Sequence, residues 1–324
     1  MNLTRTLRLV SPALVLLACA NLYAQSGFPN RPIRLIVTQT AGSSNDVLAR
    51  LIGPRMAETL GQPIVIDTRV GASGVIGTEI AAKSAPDGHT LLLLSPTVFV
   101  TLRAFNRRLP FDTDKHFIPL TAIARVSSVI TLHPSGPSSV ADLIKLAKAQ
   151  PGRINYGSAG QGSPAHIASE LLNLLGGIRT THVPYKGTAV AMTDLIAGQI
   201  QMVISSPLVV RPHVLSGRVK AIASTGAKRD PLWPELPAIA ETLPGYDLTQ
   251  WWGLAAIAGT PAAIVTRLHN AAVGAIHSSD IKERLTQQGA TGIGNSPAEF
   301  ASFIQRERAM VSDLVKRAGL ALDD

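Results

Sequence analysis

Short apolar runs alternate along the chain with stretches in which apolar residues recur every three or four positions. Residues 33–37 form a short apolar run, interrupted only by Arg34, the pattern of a buried strand. After the polar segment 38–46, Val47, Leu48, Leu51, Ile52 and Leu60 fall on one side of a helix that stops at Gly61. Ile64, Val65 and Ile66 read as a second strand, the glycine-flanked turn Gly71-Ala72-Ser73-Gly74 as the entry to a second helix, and residues 90–94 as a third, buried strand. The second half repeats this design. Residues 154–157 lead into Ser158-Ala159-Gly160-Gln161-Gly162-Ser163, where Ser163 suits an N-cap and Pro164 the first helical position. Further strands are expected before Pro184, at Val203 and Ile204, and over 219–223, with a helix from Thr188 to Gly198. Ser296-Pro297-Ala298-Glu299 is a capping box that opens a last helix to about residue 318.

Strands alternating with helices predict an α/β protein built of doubly wound parallel sheets with helices on both faces. Its length of 324 residues suggests two such units. Extended segments at 121–132 and 251–257 are the expected crossings between them. The expected division is a first lobe of 25–125 plus 248–324, a second lobe of 126–247, and a leader over 1–24.

The leader is read from Arg5 and Arg8 ahead of an apolar run over 9–20, followed by small residues. This run is shorter than the ~20 residues a membrane-spanning helix needs. The pattern predicts export to the periplasm, with Cys19 as an alternative lipidated N-terminus in Leu16-Leu17-Ala18-Cys19. Cys19 is the only cysteine, so cleavage beyond it removes thiol chemistry from the mature chain. The formal charge of +9 falls by two, to +7, without Arg5 and Arg8. This balance favours an anionic ligand. The positives are scattered, with Arg107-Arg108, Lys228-Arg229 and Lys316-Arg317 as adjacent pairs, and aromatics make up 4% of the chain, which argues against nucleic acid.

The glycine turns carry the candidate chemistry. In an open parallel sheet, ligands sit beyond the carboxyl ends of strands, where glycine bends expose N–H groups and the next helix adds partial positive charge. Ala41, Gly42, Ser43 and Asn45 form one such bend with Gln39, Thr40 and Asp46 beside it. Ser158, Gly160, Gly162 and Ser163 form the other, with His166 in the following helix. Ala72, Ser73 and Gly74, Ser95 and Thr97, Tyr185, Lys186 and Gly187, and Ser205 all lie at expected strand ends. Asp46 would repel a carboxylate and reads better as internal support. Facing each other, the two bends would clamp an organic acid.

Other readings of these motifs are weaker. Gly160-Gln161-Gly162-Ser163-Pro164-Ala165 fits a dinucleotide fingerprint, yet no acidic residue stands in 178–186 for the ribose. A G-x-S-x-G elbow fails because Tyr156 occupies its first glycine position. Ser43 or Ser158 with His166 would make a serine hydrolase, the enzymatic alternative. The eight histidines show no H-x-x-x-H pair, so neither metal nor cofactor is expected.

Several ordered motifs resemble the substrate-binding proteins of tripartite tricarboxylate transporters, the Bug or TctC family. They are Phe28-Pro29-Asn30-Arg31-Pro32-Ile33, Arg69-Val70-Gly71-Ala72-Ser73-Gly74, Pro86-Asp87-Gly88-His89-Thr90-Leu91, Tyr156-Gly157-Ser158-Ala159-Gly160, His182-Val183-Pro184-Tyr185-Lys186-Gly187 and Asp194-Leu195-Ile196-Ala197-Gly198. The resemblance implies a hinged, two-lobed periplasmic-binding-protein fold of type II-like design. It also implies a monomer that is not an enzyme, closing on a small carboxylate and presenting it to membrane permease subunits; a ligand sensor feeding a signalling partner is the alternative use. One segment departs from the family. Where the family has a Pro-aromatic-Pro turn, this chain has Thr38-Gln39-Thr40-Ala41-Gly42-Ser43. The expected consequence is a more polar wall at Gln39, Thr40 and Ser43, with a Cβ at Ser43 where positive φ is tolerated in relatives.

Overall fold

The structure is a computed structural model and describes residues 27–105 and 108–318. The expected leader, with Cys19, lies outside the described residues, as does Arg107. The chain begins with β1 (Ile33–Val37), α1 (Ser44–Leu60), β2 (Ile64–Thr68), α2 (Val75–Ala82) and β3 (Thr90–Leu94). Next come β4 (Phe117–Ser127), β5 (Val129–Leu132), α3 (Val140–Ala149), β6 (Asn155–Ser158) and α4 (Pro164–Gly176). They are followed by β7 (Thr181–Pro184), α5 (Thr188–Ile196), β8 (Met202–Ser205), α6 (Pro207–Leu215) and β9 (Lys220–Ser224). The last elements are β10 (Thr249–Ile257), α7 (Ala262–His277), α8 (Ser279–Gln287), β11 (Thr291–Gly292) and α9 (Pro297–Ala318).

These elements form two lobes, one on a six-stranded sheet of order β11-β4-β10-β3-β1-β2 and one on a five-stranded sheet of order β7-β6-β8-β5-β9. Side chains alternate across the first sheet, which explains its unbroken apolar runs. Leu35, Leu91 and Leu93 pack with Leu48, Ile52 and Leu268 on one face, while Ile36, Leu92 and Leu94 pack with Ala81, Phe300 and Ile304 on the other. Fully burying each such side chain contributes roughly 1.5–3 kcal/mol, so these faces dominate the stability of the lobe.

The expectation of parallel sheets holds for part of each. β1 runs parallel to β2 and β3, and β6 to β7 and β8. However, β10 is antiparallel to β3 and β4, and β5 is antiparallel to β8 and β9. The cause is the hinge. A strand that enters a lobe from the hinge starts where the parallel strands end, and so must run against them. Apolar periodicity carries no information on direction.

Ser128 alone separates β4 in one sheet from β5 in the other. The return crossing lies ahead of the expected 251–257, which is wholly within the first sheet as part of β10. Both crossings are tied together: Thr225 N–H donates to Ser128 O (2.8 Å), Leu248 N–H to Thr225 O (2.9 Å) and the Thr225 hydroxyl to Leu248 O (2.6 Å). Beside them, Trp251 stands edge-on to Phe300 and Phe303 and donates to Glu307 (3.2 Å).

Candidate functional site

Strand ends and helix starts place the candidate residues along the seam between the lobes. α1 follows β1 through a tight bend in which Gly42 takes the left-handed conformation (φ +76°) and Ser43 N–H donates to Thr40 O (3.1 Å). Ser43 itself is extended (φ −73°), so its Cβ causes no strain, contrary to the expectation for this position. Ser43 is fully buried and makes no side-chain capping bond. The first-turn N–H groups of Ser44, Asn45 and Asp46 therefore have no capping side chain and concentrate the positive end of the helix dipole.

The second lobe offers the counterpart at α5. Its N-cap is Gly187, which has no side chain to cap Thr188 and Ala189. These two helix starts meet. A Cβ placed on Gly187 would collide with Thr40 Oγ1 and would stand 2.8 Å from Ser43 Oγ, and one placed on Gly42 would stand 3.5 Å from Ala189 Cβ. Uncapped N-termini from opposite lobes thus face each other across a polar seam. Such a pair can share an anion between two sets of N–H donors without a charged side chain. Lys186, next to Gly187, is exposed and adds a cation at the rim.

A second point of convergence joins Ser73 to Gly160. Ala72 (φ +46°) and Ser73 (φ +54°) are left-handed between Gly71 and Gly74. This strained run brings Ser73 Oγ to 2.6 Å from where a Cβ of Gly160 would lie. Gly162 meets Leu102 and Thr101 in the same manner, at 3.1 and 3.4 Å. Thr101 ends a π-helical turn, 97–101, that starts at Thr97. Thr97 is 2% exposed, and its hydroxyl is buried without a hydrogen-bond partner. A π-helical turn with an orphaned hydroxyl is characteristic of a binding surface. Ser95, after β3 in the first lobe, and Ser205, ending β8 in the second, are both buried.

Several expected donors are already engaged. Gly160 N–H donates to Ser158 Oγ (3.1 Å), Gly162 N–H to His166 Nδ1 (3.1 Å) and Ser163 N–H to Gly160 O (3.2 Å). Ser163 Oγ caps His166 N–H (3.4 Å). The Gly160–Ser163 bend is therefore a self-satisfied scaffold, and the uncapped donors of the second lobe lie at Thr188 and Ala189. Sequence reading missed Ser44, Thr188 and Ala189. The signal was available in Gly187, an N-cap residue without a capping atom.

Other candidates support the bends. Asp46 accepts from Gly42 N–H (3.0 Å) and from Arg50 (2.9 Å), bracing the bend. Asn45, fully buried, accepts from Trp252 Nε1 (2.9 Å) and donates to Thr38 Oγ1 (3.5 Å). Tyr185 donates to Asp194 (2.7 Å), and burial together with that bond pushes its hydroxyl pKa up to about 12. Gln39 and Thr40 are half-buried, whereas Ala41 and Gly42 are exposed at the mouth of the seam. The Ser158–His166 pairing of the hydrolase alternative does not form. His166 Nδ1 faces Gly162 N–H, and Ser158 Oγ lies instead 2.6 Å from His182 Nε2.

The model of the family described as the tripartite tricarboxylate transporter family receptor, TctC, matches residues 48–320. The chain belongs to the TctC family. BugT of Bordetella pertussis is 32% identical to it over 99% of this chain and 100% of that protein. Among solved structures, Rpa4515 of R. palustris with adipate covers 91% of this chain and 99% of its own, at 36% identity and a TM-score of 0.88. MatC of Rhodopseudomonas palustris with bound malate covers 89% and 100%, at 32% identity and a TM-score of 0.85. TctC membership thus fixes the chain as a two-lobed solute-binding receptor.

Proposed function

We propose that this protein is an extracytoplasmic solute-binding protein. In this reading it captures a small carboxylate between its lobes and delivers it to a tripartite tricarboxylate-type permease. The observation that carries the reading is the meeting of the uncapped starts of α1 and α5. Each supplies N–H donors and a partial positive charge of roughly half an elementary charge, so a carboxylate held between them bonds to both lobes at once. A ligand that bonds to both lobes favours the closed arrangement by its extra contacts there, which converts binding into a shape a permease can read. In this reading the lobes divide at Ser128, between β4 and β5 and slightly beyond the expected 125/126, and at about 247/248, ahead of β10. The two solved relatives bound to adipate and malate support a carboxylate ligand. Periplasmic residence rests on the leader motif and on the periplasmic binding protein BugD, which shares the fold at 29% identity and a TM-score of 0.86. Nothing in this arrangement requires a metal, a cofactor or catalysis.

Isothermal titration with a panel of mono-, di- and tricarboxylates tests the reading. It predicts saturable binding of at least one acid and none of the corresponding neutral amide. Four to six charge-assisted hydrogen bonds at ~1.5–3 kcal/mol each, less ordering costs, correspond to affinity in the micromolar range. Equal binding of acid and amide would overturn it.

A further inference from the structure

We propose that His182 is a positioning residue for the interlobe site, holding the Gly160 bend in the conformation that meets Ser73 of the other lobe. The assignment rests on the binding reading above.

One buried hydroxyl, with a single proton to give, sets the arrangement. Ser158 Oγ is fully buried and has three partners: Gly160 N at 3.1 Å, Gly160 O at 3.0 Å and His182 Nε2 at 2.6 Å. A hydroxyl has one proton and two lone pairs. Gly160 O only accepts, so the hydroxyl proton goes there. One lone pair takes Gly160 N–H, and the other takes a proton from His182. His182 therefore carries its proton on Nε2 and donates it. Both backbone groups of Gly160 are held through Ser158, and Ser158 is held through His182.

The imidazole is fixed in turn. Pairing of β6 with β7 sets Tyr156 opposite His182, and the two rings stack at 5.0 Å with 17° between their planes. His166 also packs against it at 4.4 Å and lies 6.4 Å from Tyr156, so the three rings form a cluster. Tyr156 is anchored by its hydroxyl to Glu170 (2.6 Å). Because His166 Nδ1 accepts from Gly162 N–H, one cluster of three rings orients both glycines that touch the first lobe. Without the His182 donor, a lone pair of a buried hydroxyl is unfilled and the Ser158 rotamer is no longer set.

The test compares His182→Phe, which keeps the stacked ring but loses the donor, with His182→Gln, whose amide Nε2 can still donate. Gly160 amide hydrogen exchange is measured in the ligand-free mature protein, and affinity is measured by titration with adipate. His182→Phe is expected to raise Gly160 exchange and weaken adipate binding, each about tenfold, the effect of one lost buried hydrogen bond. His182→Gln is expected to remain within about threefold of wild type in both. Adding His182→Phe to Ser158→Ala should change neither further, because the two act through one bond. Unchanged Gly160 exchange in His182→Phe overturns the proposal, as does a His182→Gln variant as impaired as His182→Phe. Should the wild type bind neither adipate nor malate, the interlobe binding reading fails, and the exchange measurements alone decide the positioning.

Discussion

Gly187 of the second lobe lies against Thr40 of the first: a Cβ on Gly187 would collide with Thr40 Oγ1 and come within 3.2 Å of Thr40 N. Gly187 is extended (φ 175°), a conformation open to any residue. Its lack of a side chain therefore serves the approach of the lobes and not the local backbone. Gly187→Ala is expected to leave the melting temperature of the ligand-free protein within about 2 °C, because neither fold core is touched. Overpacking of about 1–3 kcal/mol in the joined state should weaken ligand binding about tenfold or more. Titration and small-angle scattering with and without ligand check this: the variant should lose the ligand-induced compaction shown by the wild type.

The strained run beside Gly160 predicts a gain in stability. Ala72 is exposed and left-handed, a conformation that costs a non-glycine residue roughly 1 kcal/mol or more. Ala72→Gly should stabilise the protein by about 0.5–1 kcal/mol in urea unfolding, with an unchanged m-value.

Thr97 separates stability from binding. Its buried hydroxyl lacks a protein partner, so Thr97→Val, equal in shape, should be neutral or stabilising by up to about 1 kcal/mol in the ligand-free state. If the hydroxyl bonds to ligand, the same variant should bind about five- to tenfold more weakly. Paired thermal melts and titrations read both quantities from one preparation.

Glu307 gives the hinge a pH dependence. Burial raises its pKa above the usual 4.5, with Asp247 adding to the shift, and the bond from Trp251 opposes it. A carboxyl whose folded pKa is raised favours folding below its unfolded pKa, and that contribution is lost as pH rises through the folded value. Glu307→Gln should therefore raise the melting temperature at pH 7 and have little effect below pH 4.5, while its amide oxygen still accepts from Trp251. Trp251 fluorescence, followed from pH 4 to 8, should lose a titration step in the variant.

The order of elements was legible because apolar runs and glycine bends punctuate this chain cleanly. The capping box at Ser296 and Glu299 forms as its spacing predicts, with Ser296 N–H on Glu299 (2.9 Å) and Glu299 N–H on Ser296 Oγ (3.3 Å). Strand direction was not legible, since β10 and β5 owe theirs to the hinge. At the site, residue types pointed to bends that meet along the seam, but not to which donors they leave unpaired. His166 lies four residues beyond Gly162 and takes its N–H, and Ser158 takes that of Gly160, through side-chain orientations that no spacing rule reveals. His182 read as part of a motif without a role, because its partner Ser158 lies 24 residues away on the neighbouring strand.

Backbone amide spectra recorded while a binding carboxylate is titrated into the protein probe both helix starts together. The account predicts that Ser44, Asn45 and Asp46 of α1 shift in step with Thr188 and Ala189 of α5, along one saturation curve. Shifts confined to a single lobe, or saturation without movement of either helix start, would contradict it.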